Sequence, residues 1–384
     1  MTDTGTPTIP KPVIEPRAAD HRGSWLPSGR MIAARWTELR KRRGLMAVLA
    51  LVTIGIPTVY LAIRLILHAA APHTYGPAGG FDVYVGMVAG VLYVFGFIVA
   101  ATLGATAGSA DLTEGMFRHH VITGRSRMAL YLARIPAGLG VIVPLVAAGF
   151  AIVCAVCAFA APTSLTYQGV RVPVQLSEPA LVHWAEAHAQ EVVTNFGLRV
   201  TTGQTPACFP AGPKIGPGGP PGAGARGGTT GTRCTPAQLR TLAALVARAN
   251  YKDYDRMFLS PPISLMVKTG LWLELEVLIG FMVALGLSSL LGQRTVSVIL
   301  MIILEVIVTP IAVRARLPHM INLQRSIVGV ATAHLEPGGL THVFGGGGSD
   351  HFVVESTTTA VCVIVAWIVV WTALGAWRMM TRDA

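Results

Sequence analysis

The sequence predicts an all-α membrane protein with about six transmembrane helices, a short charged helix between the second and third spans, and a small helical extracytoplasmic domain. Three observations carry this. Charged residues make up only 13% of the chain while hydrophobic residues reach 52%, where soluble domains average about 25% charged. Apolar runs long enough to cross a bilayer, about 20 residues each, recur along the chain. Lys and Arg gather beside one set of the connecting loops, which is how membrane proteins encode orientation.

The segment 1–28 is polar and holds Pro7, Pro10, Pro12 and Pro16. It lacks the short apolar core of a secretory signal and reads as a disordered cytoplasmic tail. Residues 29–44 follow as an amphipathic helix. Ile32, Trp36 and Leu39 share one face, and Arg40, Lys41, Arg42 and Arg43 form a basic end. Such a helix lies in the lipid interface, with its cations at anionic headgroups.

The six expected spans are Leu45–Leu67, Val83–Ala107, Ile135–Ala160, Leu271–Leu291, Thr295–Val313 and Ala360–Trp377. The first three, with the loop 108–127 between the second and third, occupy 45–160. The last three, with an outer segment 314–359, occupy 269–384. Arg118, Arg125, Arg127, Arg134, Arg294, Arg378 and Arg382 fall on the same side as Arg35 and Arg40–Arg43. The connection His68–Asp82 has neither Lys nor Arg. Positive residues stay inside, so both termini are expected in the cytoplasm of a bacterium and the chain in its plasma membrane. Arg314 and Arg316 are the exceptions to this bias.

Residues 161–268 then form an extracytoplasmic domain. Ser177 is placed to cap a helix reaching about Phe196, with Leu181, Trp184, Val192 and Phe196 as its apolar positions. Thr235, Pro236 and Gln238 make a helix start of capping-box type, followed by Leu239, Leu242, Leu245, Val246 and Ala249 at helical spacing. Between these helices runs a Gly/Pro-rich insertion bracketed by Cys208 and Cys234. Both cysteines face an oxidising space, so a disulfide between them is expected. Cys154 and Cys157 lie inside a span and read as packing. His183 and His188, five residues apart, fall on different faces of a helix and do not make a metal pair. No metal site and no cofactor is expected.

Other classes are weakened by what is absent. There is no Gly-x-x-x-x-Gly-Lys-Ser/Thr phosphate loop, no His-Glu-x-x-His and no Gly-x-Ser-x-Gly elbow, so no catalytic activity is assigned to this chain. The net charge of +11 is distributed at span ends and in one loop, and nucleic acid is not expected as a partner. Within the spans Glu305 is the exception. An ionised carboxylate at mid-bilayer costs about 3 kcal/mol, which makes Glu305 an intramembrane candidate for function or for a contact between helices. Glu274 and Glu276 lie near the outer end of the fourth span and are expected to reach the interface.

The loop "GSADLTEGMFRHHVITGRSR" resembles the corresponding loop of type-2 ABC transporter permeases. Gly108, Asp111 in place of Glu, Gly115, Arg118 and the pair Ser126–Arg127 match that pattern, with Met116 where the family has Thr. "WTELRKRRG" is similar to the family's connecting helix. "ILEVIVTP", with Glu305 and Pro310, and "LPHMINLQRSIVGVATAHLEPGGL" are similar to later segments. The likeness spans most of the chain apart from the tail and the insert 162–268. It implies the membrane-spanning permease subunit of an ATP-driven exporter. The loop would be a coupling helix, with Asp111, Glu114, Phe117, Arg118 and Arg127 facing a separate ABC ATPase subunit, and a second permease chain, identical or related, would complete the pair. A proton-coupled secondary transporter using Glu305 and a membrane-anchored envelope sensor or assembly protein are the competing readings.

Overall fold

The computed structural model describes residues 25–71, 74–113, 126–163, 165–167, 170–174, 176–195, 234–255, 259–314, 318–337, 340, 353 and 355–381. Among these residues six helices are long and apolar enough to cross a membrane: Arg43–Ala70, Phe81–Ser109, Arg127–Phe159, Ile263–Leu291, Arg294–Val313 and Thr357–Thr381. Each contains or closely matches one expected span. The fourth starts eight residues earlier than its apolar run, directly after Pro262, which serves as its N-cap. Proline suits a helix start because no intrahelical bond there needs its missing N–H. The same helix stops at Gly292, which adopts a left-handed φ of 72° and donates its N–H to the Ser288 carbonyl at 2.8 Å.

The bundle has two distinguishable ends. At one, here called the basic end, the helix Gly29–Lys41 packs Met31 against Ala129, Leu130 and Ala133, and Leu39 joins a cluster with Ala376 and Met379. Arg127 donates to the Met380 carbonyl at 3.0 Å. On the helix Gly29–Lys41, the Arg40 guanidinium lies over the Trp36 ring at 4.6 Å, and Glu38 pairs with Arg35 at 2.7 Å and Arg42 at 3.6 Å. At the other, the domain end, Gly80 donates to the Cys157 carbonyl and Phe81 to that of Leu259.

The fourth span is the axis of the bundle. Its most apolar stretch is 72% buried, against 22% for the first and sixth spans. Lipid offers no hydrophobic drive for helix association, so close van der Waals approach must supply it. Glycines permit that approach toward the basic end. A Cβ at Gly104 would meet the Phe281 carbonyl oxygen at 2.3 Å, and one at Gly286 would meet that of Trp371 at 2.2 Å.

Three spans contain a turn of π-helix: Leu51–Gly55, Val88–Tyr93 and Ile303–Val308. Two have a visible cause. Pro57 cannot donate to the Thr53 carbonyl, nor Pro310 to that of Val306, and the ladder widens just ahead of each proline.

After the fifth span the chain turns back into the bundle, which the sequence reading did not foresee. Two short helices, Ile321–Arg325 and Val328–His334, form this hairpin, and Val328–Ala333 are all buried. It is held by Gln324 donating to the Ala312 carbonyl at 3.1 Å, Trp272 to that of Thr332 at 3.0 Å, and Trp367 to that of Ser326 at 2.7 Å.

The small domain contains one antiparallel hairpin, Leu165–Tyr167 with Val170–Val172, in which Leu165 faces Val172. Its helices are Glu178–Ala187, Ala189–Asn195, Pro236–Ala249 and Tyr251–Asp255. The capping box of Thr235 and Gln238 is present. Two expectations are corrected. The helix starting after Ser177 breaks at His188, which stacks on Trp184 and bonds its carbonyl at 2.9 Å, and Ser177 makes no side-chain cap. Leu245 is exposed, while Ala243, Ala244, Val246 and Ala247 form the buried stripe, because alanines let the two helices approach closely.

Candidate functional site

The intramembrane site is built from four segments. Tyr93 closes the π turn of the second span, and Glu305 lies in that of the fifth. Such turns are rare and frequent at functional positions. The fourth span contributes Trp272 and Glu276, four residues apart and therefore on one face. The hairpin contributes Thr332 and, just beyond its second helix, Glu336. Tyr93, Trp272, Glu276, Glu305, Thr309 and Thr332 are all buried.

Tyr93 donates its hydroxyl proton to Oε1 of Glu305. The Thr309 hydroxyl lies 3.5 Å from Oε2 of the same carboxylate and 3.1 Å from the Leu304 carbonyl. The Trp272 indole stacks on the Tyr93 ring, with centroids 5.1 Å apart and planes within 9°, and its N–H reaches the hairpin at Thr332. One aromatic pair thus joins the second span, the fourth span and the hairpin. Glu276, Glu305 and Glu336 are acidic neighbours of Tyr93.

Glu276 corrects the sequence reading. It was expected at the membrane interface, yet it is only 2% exposed, and its Oε1 has no hydrogen-bond partner among the described residues. The cause is the early start of the fourth helix at Ile263, which places Glu276 about 20 Å along it at 1.5 Å per residue. Its four-residue spacing from Trp272 was visible in the sequence as a shared face, but not what that face meets.

The expected coupling residues are described only in part. Asp111 lies on the helix Val94–Thr113, which prolongs the second span, whereas Glu114, Phe117 and Arg118 lie outside the described residues. The loop's two ends are anchored on the bundle. Arg134 donates to the Gly108 carbonyl at 3.0 Å and Ser289 to the same oxygen at 3.3 Å, while Arg127 holds the end of the sixth span.

Cys234 is disulfide-bonded, and Cys154, Cys157 and Cys362 are free. Cys208 lies outside the described residues. On the small domain, a cleft of about 520 Å³ is lined by His183, Glu186, Gln190 and Arg240 among others. Just ahead of the sixth span, burial pushes the Glu355 carboxyl above its ordinary range and Arg325 pulls it back in part.

Fold and site together define an all-α, multi-pass membrane protein with a buried acidic centre. Comparison with protein-family models, curated proteins and solved structures finds no match. The functional reading therefore rests on the residues and their geometry.

Proposed function

We propose that this chain is the membrane-spanning permease subunit of an ATP-driven exporter in the bacterial plasma membrane, with both termini in the cytoplasm. A separate ABC ATPase and a second permease chain complete the assembly. The observation that carries this reading is the anchored loop between the second and third spans. Its sequence resembles the coupling loop of type-2 ABC permeases, and its bases are tied to the fourth span through Gly108 and Ser289 and to the sixth through Arg127 and Met380. A push on that loop reaches the central helix of the bundle directly. The helix Gly29–Lys41, braced on the third span at the same end, supports the likeness.

The test is co-purification and transport. Phe117 is the expected apolar anchor for the ATPase, with Asp111 and Arg118 setting its orientation. Losing such an anchor costs at least ~2 kcal/mol, about a thirtyfold drop in affinity. Phe117→Ala and Asp111→Lys are expected to release the ATPase while the chain inserts at wild-type levels. Undiminished ATPase binding and wild-type export by both variants would refute the coupling role. Transport that follows the proton gradient without ATP would move the chain to the secondary-transporter reading.

A further inference from the structure

The acidic centre contains one group that the exporter reading does not use. Glu276 is buried at mid-helix, its Oε1 is unpartnered, and its charged neighbours Glu305 and Glu336 are acidic. Its polar neighbour is the Thr332 hydroxyl. That hydroxyl also lies 3.2 Å from the Gly329 carbonyl. An ionised Glu276 would face a second carboxylate in a buried site, where like charges cannot both persist. A neutral carboxylic acid removes that repulsion. Glu305 is placed differently. Tyr93 donates to it and Thr309 flanks its other oxygen, so it is equipped to stay an acceptor.

We propose that Glu276 is an intramembrane proton-binding site, its carboxyl carrying one proton at neutral pH beside the accepting carboxylate of Glu305. The ligand is the proton itself. It needs no cavity and matches the close packing around the site, whereas a metal ion or organic cation would need room and several free donors. The titratable groups that interact with it are Glu305 on the fifth span and Glu336 beyond the hairpin, with Tyr93 of the second span beside both; the same elements also carry Tyr84, Glu274, Arg325 and His334. The third span brings the free thiols Cys154 and Cys157 into the same apolar cluster, and the sixth brings Cys362, which is exposed. The site does not depend on the energy source, so it stands or falls separately from the ATPase reading.

Infrared difference spectroscopy of the full chain in lipid nanodiscs tests it. Wild type minus Glu276→Gln is expected to show loss of a carboxylic-acid C=O band that shifts in D₂O. Loss of carboxylate stretches, with no acid band, overturns the proposal. Glu274→Gln, on the same helix, is expected to leave that band in place. Should Glu276→Gln fail to insert, Glu305→Gln decides. Removing the neighbouring charge eases ionisation of Glu276, so its acid band is expected to disappear at a pH lower by about one unit or more. A band that does not move, or none in wild type at neutral pH, also overturns it.

Discussion

The second and fourth spans meet twice, by opposite means. Toward the basic end, Gly104 brings the second span against the backbone of Phe281, and Gly108 against the Leu285 carbonyl and the Ser288 and Ser289 hydroxyls. Toward the domain end, the same two helices are joined by Tyr93, Trp272 and Glu276, with polar groups from two further segments. The glycine contact has one rigid solution, because backbone cannot rotate aside. The polar contact has several, because protons and hydrogen bonds can be redistributed. A bundle built this way is fixed at one end and adjustable at the other, and the adjustable end is where chemistry can be coupled to shape.

The largest effect is expected from breaking the rigid contact. Gly104→Val forces a side chain onto the Phe281 carbonyl and is expected to cost about 3 kcal/mol or more, read by denaturant or thermal unfolding in detergent. The adjustable contact should tolerate more. Tyr93→Phe removes a hydrogen bond to Glu305 worth about 2 kcal/mol if the acceptor is charged. A loss near zero would mean that Glu305 finds another donor. In transport assays, Glu305→Ala is expected to lose more activity than Glu305→Gln, since Gln still bonds within the bundle. Equal, full activity of both variants would strip the residue of its importance. Trp272→Phe keeps the ring stack and deletes one of two donors to the Thr332 carbonyl, the other being the Leu335 N–H. A cost of about 1 kcal/mol is expected, together with faster hydrogen exchange confined to Val328–His334. The smallest effect belongs to the small domain. Leu245→Ala on its exposed face should change stability by less than about 0.5 kcal/mol.

Much of the molecule was legible in one dimension. The six spans, the helix before the first and the capping box at Thr235 are properties of consecutive residues: apolar length, 3.6-residue periodicity and a side chain reaching three positions ahead. The acidic centre was half legible. Glu305 stood out as a lone charge inside an apolar run. Glu276 did not, because its depth depends on where the helix starts, and that start lies among polar-flanked residues before the apolar run. The break at His188 and the exposure of Leu245 were missed for a related reason. Periodicity locates a face but not the partner that covers it.

The sequence by itself determined that the described residues carry six helices long and apolar enough to cross a membrane, since burying about 20 consecutive apolar residues leaves few other options for their backbone amides. Only the tertiary structure decided how the helices are rotated about their axes. That rotation sets which glycines touch backbone, aims Tyr93 at Glu305, and brings the returning hairpin over Glu276. It is settled by contacts between residues distant in the chain, and no local pattern encodes it.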